Sequence, residues 1–176
     1  MYQLKFSNTV VIAIAKEPKA IAYLSPLKTK IVKMQGSQKI QVGVSDLRQA
    51  FHTHFQSAEQ IKHISAYLLL FYAVECGLKS IFLKRNQLRT TAQIPDPTLL
   101  SESGHNLDRW VKELKISAST ISQTPNFHLA KGGSTLNIEK AHQVWRYGIK
   151  IKPEDEKVLV EWLNSISQWI KENINR

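Results

Sequence analysis

Three pairs of residues in this chain have the types and the spacing to do chemistry. His142 and Arg146 stand four apart, as do His105 and Arg109, and Glu75 and Lys79. On a helix that spacing puts both members of a pair on one face. An imidazole beside a guanidinium suits phosphodiester cleavage without a metal. A base takes the proton of the neighbouring hydroxyl, an acid serves the leaving oxygen, and a cation stabilises the charge on the phosphorane. Glu75 and Lys79 read differently, because they sit inside SAYLLLFYAVECGLKSIFLK, Ser65 to Lys84, which is apolar around nearly its whole circumference. A buried carboxylate there needs a cationic or hydrogen-bonding partner. Glu75 and Lys79 are therefore expected to form a structural polar core, with Arg146 as a further partner of Glu75. His105 has a structural reading too, since at a helix start it can cap or anchor the helix.

Other chemistries find less in the residues. His52 and His54 are two apart, which on a helix points them in different directions, and no carboxylate completes a cage, so no metal site is expected. The stretch AKGGST lacks the order of a phosphate-binding loop and follows no strand. No Ser-His-Asp or glycine-rich constellation is evident, and no cofactor is expected. Glu154, Asp155 and Glu156 are explained as charges at a helix start. Trp110, Trp145, Trp162 and Trp169 fall at helical spacings that suit packing more than base stacking. The single cysteine, Cys76, lies in the apolar run and reads as an inert buried thiol. A disulfide framework is thereby excluded, and a reducing, cytoplasmic compartment is expected.

The elements that must position these residues are mostly helical. The 176-residue length and 43% hydrophobic content suffice for one domain with a real core. Ser45-Asp46 offers an N-cap to a first helix carrying Leu47, Ala50, Phe51, His54 and Phe55. A second helix, the longest, is expected from Ala58 to Asn86, with Leu68, Leu69, Phe71, Tyr72, Val74, Leu78, Ile81 and Phe82 inside. Its length suits a membrane, but Glu75 and Lys79 within it and the charges flanking it argue for burial in a bundle. Residues 90–103 read as a loop, and HNLDRWVKELKISASTIS as a third, amphipathic helix. Residues 124–137 read as a loop. Ile138 to Tyr147 forms a short helix stopped at Gly148, and Pro153 opens a last helix with a stripe of Val158, Leu159, Trp162, Leu163, Ile166, Trp169 and Ile170.

Charge is concentrated at the N-terminus. The formal net charge is +10, and residues 1–43 hold Lys5, Lys16, Lys19, Lys28, Lys30, Lys33 and Lys39 against Glu17 alone. Residues 1–44 are expected to form a basic arm, either a small hairpin with strands at 9–15 and 39–44 or an extended segment, and residues 45–176 the helical bundle. Lys28, Lys30, Lys33 and Lys39 are the expected nucleic-acid contacts, because a cluster of this kind attracts phosphate.

The run YAVECGLKSIFL, then GHNLDRWVKEL after a loop, then WRYG before a final amphipathic helix, resembles the HEPN superfamily of small α-helical bundles. The resemblance covers roughly Asp46 to Asn173. It implies an all-α, up-down bundle of four to five helices and a place in prokaryotic defence or toxin systems. Many members are metal-independent ribonucleases that use an Arg followed a few residues later by a His, with two copies meeting at a dimer interface. Others are non-catalytic partners. In this sequence the formal match, Arg48 to His54, lies on the first expected helix and is read as coincidence. Near the last helix the order is reversed, His142 preceding Arg146. The resemblance thus implies a catalytic set drawn from His142, Arg146, Tyr147, His105 and Arg109. It also implies RNA as partner, together with a protein partner or a second copy, while the charges within and beside the second helix argue against a membrane. The alternative is an RNA- or protein-binding subunit without catalysis.

Overall fold

The computed structural model describes residues 40–100 and 102–176. Residues 1–39 of the expected N-terminal arm, with Lys28, Lys30, Lys33 and Lys39, lie outside them. The described residues form an all-α fold with five helices: α1 Val44–Gln60, α2 Ser65–Arg85, α3 Leu107–Glu113, α4 Ile138–Arg146 and α5 Pro153–Asn173. A two-stranded hairpin, β1 Phe127–His128 and β2 Thr135–Leu136, is inserted before α4.

α2 is the axis of the bundle and packs against each of the other four helices. That position follows from its composition, since a helix apolar all round must be enclosed. It buries Leu70, Phe71, Ala73, Val74, Leu78, Ile81 and Leu83, whereas Leu68, Leu69 and Tyr72 are only partly covered. It is long and apolar enough to cross a membrane, yet 67% of that stretch is buried inside the protein. Gly77 sets how closely α5 approaches: a Cβ there would stand 2.7 Å from Ile170 Cγ2 and 3.0 Å from Phe51 Cδ2. Ile170 and Phe51 are fully enclosed at this contact, as are Leu159, Leu163 and Ile166 elsewhere along α5.

Several boundaries depart from the sequence reading. α1 continues through Ala58 to Gln60, and the expected second helix starts later, at Ser65. The break carries neither Gly nor Pro. The His63 ring, whose Nδ1 accepts from the Ser65 N–H at 3.4 Å, takes the place of an ordinary cap. α2 shares its 21-residue length with α5. At the start of α1 the cap residue is Gly43, whose N–H donates to the Asp46 carboxylate at 3.1 Å. The strand expected over residues 39–44 reduces, within the described part, to a bridge between Gly43 and Thr90.

The third helix is only seven residues long. Lys115, at φ 53°, adopts the left-handed conformation usually left to Gly, and the Ile116 N–H closes back on the Val111 carbonyl at 3.2 Å. The loop before it contains three 3-10 turns, Thr91–Gln93, Pro97–Leu100 and Glu102–His105. The expected loop over 124–137 folds into the hairpin, pairing Phe127 with Leu136 and His128 with Thr135 around Gly132 at φ 104°. α4 does stop before Gly148 at φ 66°, and Pro153 does open α5. Along α5, Val158 leaves the expected stripe and is exposed.

Candidate functional site

The candidate site is built outward from α2, where Tyr72, Glu75 and Lys79 follow one another at turn spacing. The Glu75 carboxylate is held from two sides. Lys79 Nζ donates to Oε1, and Oε2 lies 2.7 Å from His105 Nδ1. Their side chains are 10% and 12% exposed for Glu75 and Lys79, against 40% for His105. Burial pushes the Glu75 carboxyl up, but the hydrogen bond from His105 and the charge of Lys79 outweigh it and hold the group below its ordinary value. An ionised carboxylate only accepts. The His105 proton is therefore fixed on Nδ1, and the Nε2 lone pair is left for another partner. The 3-10 turn that presents His105 is secured by Trp110, whose Nε1 donates to the Gly104 carbonyl at 3.2 Å. Lys79 Nζ lies 5.6 Å above the same Trp110 ring.

α4 supplies the second wall. The His142 ring lies 4.2 Å from that of His105, tilted by 36°, and 5.4 Å from Phe71. It is 4% exposed, and its Nδ1 has no hydrogen-bond partner. Burial lowers its pKa to about 4, and Arg146, together with His105 in its protonated form, acts in the same direction. The Glu139 backbone and the Glu75 charge oppose this only in part. His142 is thus a neutral ring near pH 7. Arg146, one turn later, is exposed and donates from Nη2 to the Tyr72 hydroxyl at 2.5 Å. That hydrogen bond is the main reason its pKa is raised. The Tyr72 ring stands 6.5 Å from His105 and 6.4 Å from His54 of α1.

The expected residues are therefore sorted by the fold. Glu75 and Lys79 do form a polar core, but the partner added to them is His105, and Arg146 pairs with Tyr72 instead of Glu75. His142 and Arg146 occupy one helix as expected, with the first turned inward and the second outward. His105 and Arg109 do not share a helical face. His105 ends a 3-10 turn, and the extended Asn106 separates it from α3. Arg109 instead reaches Asp96 at 2.6 Å and Thr98 at 2.8 Å, tying α3 to the preceding loop. Tyr147 is 70% exposed beside Arg146. Cys76 is half-buried, and burial raises its thiol to about 11.

Two residues escaped the sequence reading. Tyr72 carried a faint signal, a phenol three positions before Glu75 on an otherwise apolar helix. His54 belonged to a motif match set aside as coincidence. Among the described residues no group of three or more His, Cys, Asp or Glu side chains stands ready to hold a metal. What the cluster can do chemically is narrower. A half-exposed imidazole oriented by a buried carboxylate can accept a proton at Nε2. The nearby Arg146 and Tyr72 hydroxyl can donate to an anionic oxygen. No family model, no curated protein and no solved structure matches the chain.

Proposed function

We propose that this chain is a HEPN-like protein of a prokaryotic RNA-linked defence or toxin system, and that it cleaves RNA without a metal. The observation that carries the reading is the Glu75–His105 pair set beside the Arg146–Tyr72 pair. His105 Nε2 takes the 2′-hydroxyl proton, and the oxygen so released attacks the adjacent phosphorus. Arg146 and the Tyr72 hydroxyl stabilise the charge that builds on the phosphoryl oxygens. The 5′ oxygen leaves and receives a proton from the His105 imidazolium. His142 is assigned a packing role behind His105, because a buried neutral ring is not in reach of substrate. The net charge of +10 draws RNA toward the protein. The resemblance in YAVECGLKSIFL, GHNLDRWVKEL and WRYG supplies the family part of the proposal, along with assembly with a second copy or another protein, and the single Cys76 supports a cytoplasmic location.

A second reading is a non-catalytic RNA- or protein-binding subunit of a defence ribonucleoprotein. The reversed order of His142 and Arg146 favours it, as does the engagement of Arg146 with Tyr72. The test is incubation of the purified chain with a mixed RNA pool in EDTA, beside His105→Gln and Arg146→Gln variants of verified helicity. Cleavage by the parent chain, lost in both variants, supports the enzyme. RNA binding without cleavage by the parent chain sinks it and leaves the binding subunit.

A further inference from the structure

We propose that Thr135, His128 and Asp155 form a second reactive centre, an acyl-transfer triad in which the Thr135 hydroxyl attacks a small activated ester. Three elements bring these residues together, although no such order is visible along the chain. His128 and Thr135 face each other across the hairpin, so their side chains project from one face of it. His128 Nε2 lies 3.0 Å from Thr135 Oγ1, and His128 Nδ1 lies 2.9 Å from Asp155 Oδ2 in the first turn of α5.

The protonation pattern is the one such chemistry requires. The Asp155 carboxyl is held below its ordinary value, first by the side-chain hydrogen bond from His128. An ionised carboxylate accepts only, so Nδ1 carries the imidazole proton and Nε2 accepts from the threonine hydroxyl. Docking the hairpin on α5 does not by itself call for this arrangement. The His128 backbone N–H already donates to Asp155 Oδ2 at 2.7 Å, and the Leu129–Ile151 bridge holds the hairpin to the connection that leads into α5. The ring and its contact with Thr135 are additional.

The surroundings suit a small substrate. Thr135, though not His128 or Asp155, borders an open depression of about 350 Å³ with Asn126, Leu136, Asn137, Glu139 and Lys140. That volume accommodates a short acyl group with polar neighbours. Thr135 Oγ1 passes its proton to His128 Nε2 and forms a bond to the acyl carbon. The bond to the leaving alkoxide or thiolate then breaks, and that group takes the proton from His128. Water, deprotonated by the same nitrogen, attacks the threonyl ester, and Thr135 is released with its proton restored. Asp155 stays ionised throughout and acts as a positioning residue.

The experiment uses the full chain with p-nitrophenyl acetate, following the burst of nitrophenolate and locating the acetyl group by peptide mass mapping. The expected result is an adduct on Thr135, a burst lost in Thr135→Val, and a burst retained in Thr135→Ser. Asp155→Asn should slow acylation by on the order of 10²–10⁴-fold. Should that variant fail to fold, the Val and Ser variants decide the matter, since position 135 is exposed, Val keeps the β-branched shape of Thr and Ser keeps its hydroxyl. Acetylation confined to Lys140 or another residue, or a burst unchanged in Thr135→Val, overturns the proposal. RNA cleavage in Thr135→Val should match the parent chain, which keeps this test separate from that of His105.

Discussion

His142→Phe offers the sharpest test of the electrostatics around the candidate site. Folding takes the His142 pKa from 6.5 to about 4, chiefly because the ring is removed from water and secondarily because Arg146, and His105 when it is protonated, repel its positive form. At about 1.4 kcal/mol per tenfold change in proton affinity, that is on the order of 3 kcal/mol. The sign follows from which state holds the proton. Between the two values the unfolded chain is protonated at this position and the folded chain is not, so stability rises with pH across the window. The contribution is fully present above about 6.5, is lost as pH falls toward about 4, and levels off below. A phenyl ring of similar shape, between Phe71 and His105, cannot titrate and removes the unpartnered Nδ1. Its stability at neutral pH should lie within about 1 kcal/mol of the parent. The assay is urea unfolding of both proteins, well above pH 6.5 and again close to pH 4, followed by tryptophan fluorescence and far-UV circular dichroism. The variant should gain about 2–3 kcal/mol on the parent between the two conditions. All other titrating groups are common to the two chains and cancel in the difference. An unchanged gap would refute the reasoning, because it would mean that His142 accepts a proton in the folded state as readily as in the unfolded one.

The remaining predictions concern the rest of the bundle. Glu75→Gln leaves Lys79 with an uncompensated charge at 12% exposure and should cost about 3 kcal/mol near neutral pH. Because the folded Glu75 pKa is depressed, that contribution is present above about 4.5 and lost as pH falls further, so the gap to the parent should close in acid unfolding curves. Gly77→Ala sets a helix-propensity gain of about 1 kcal/mol against a Cβ placed 2.7 Å from the enclosed Ile170, and overpacking of about 1–3 kcal/mol should win. A lowered thermal midpoint checks the sign. Cys76, with its thiol raised to about 11, should resist alkylation by iodoacetamide in the folded chain and react readily in urea. Equal rates in the two states would contradict that environment.

Much of the bundle was legible because its signals are local. An apolar circumference marked α2 as the central helix, Gly148 stopped α4, and Pro153 with its acidic neighbours opened α5. Boundaries without such signals were misplaced. The break before Ser65 depends on a histidine ring, and α3 ends at a left-handed lysine, neither of which is a residue type that announces a cap. The hairpin was hidden for a related reason. Two-residue strands leave no alternating pattern to detect, and their pairing is held in part by Asp155, from a helix that comes later in the chain.

The candidate site divides along the same line. Glu75 and Lys79 were readable because one helix carries both, and a buried charge in an apolar run demands a partner wherever the helix ends up. His142 and Arg146 were readable as neighbours on one helix, but nothing in their spacing told which would face the core. Composition and periodicity determined that there is a helical core, that α2 lies within it, and that one polar pair is buried there. Tertiary packing alone decided that His105 reaches Glu75, that Arg146 finds Tyr72, and that Arg109 turns away to Asp96. These contacts join segments far apart in sequence, so their partners are set by how helices cross, which no short-range spacing records.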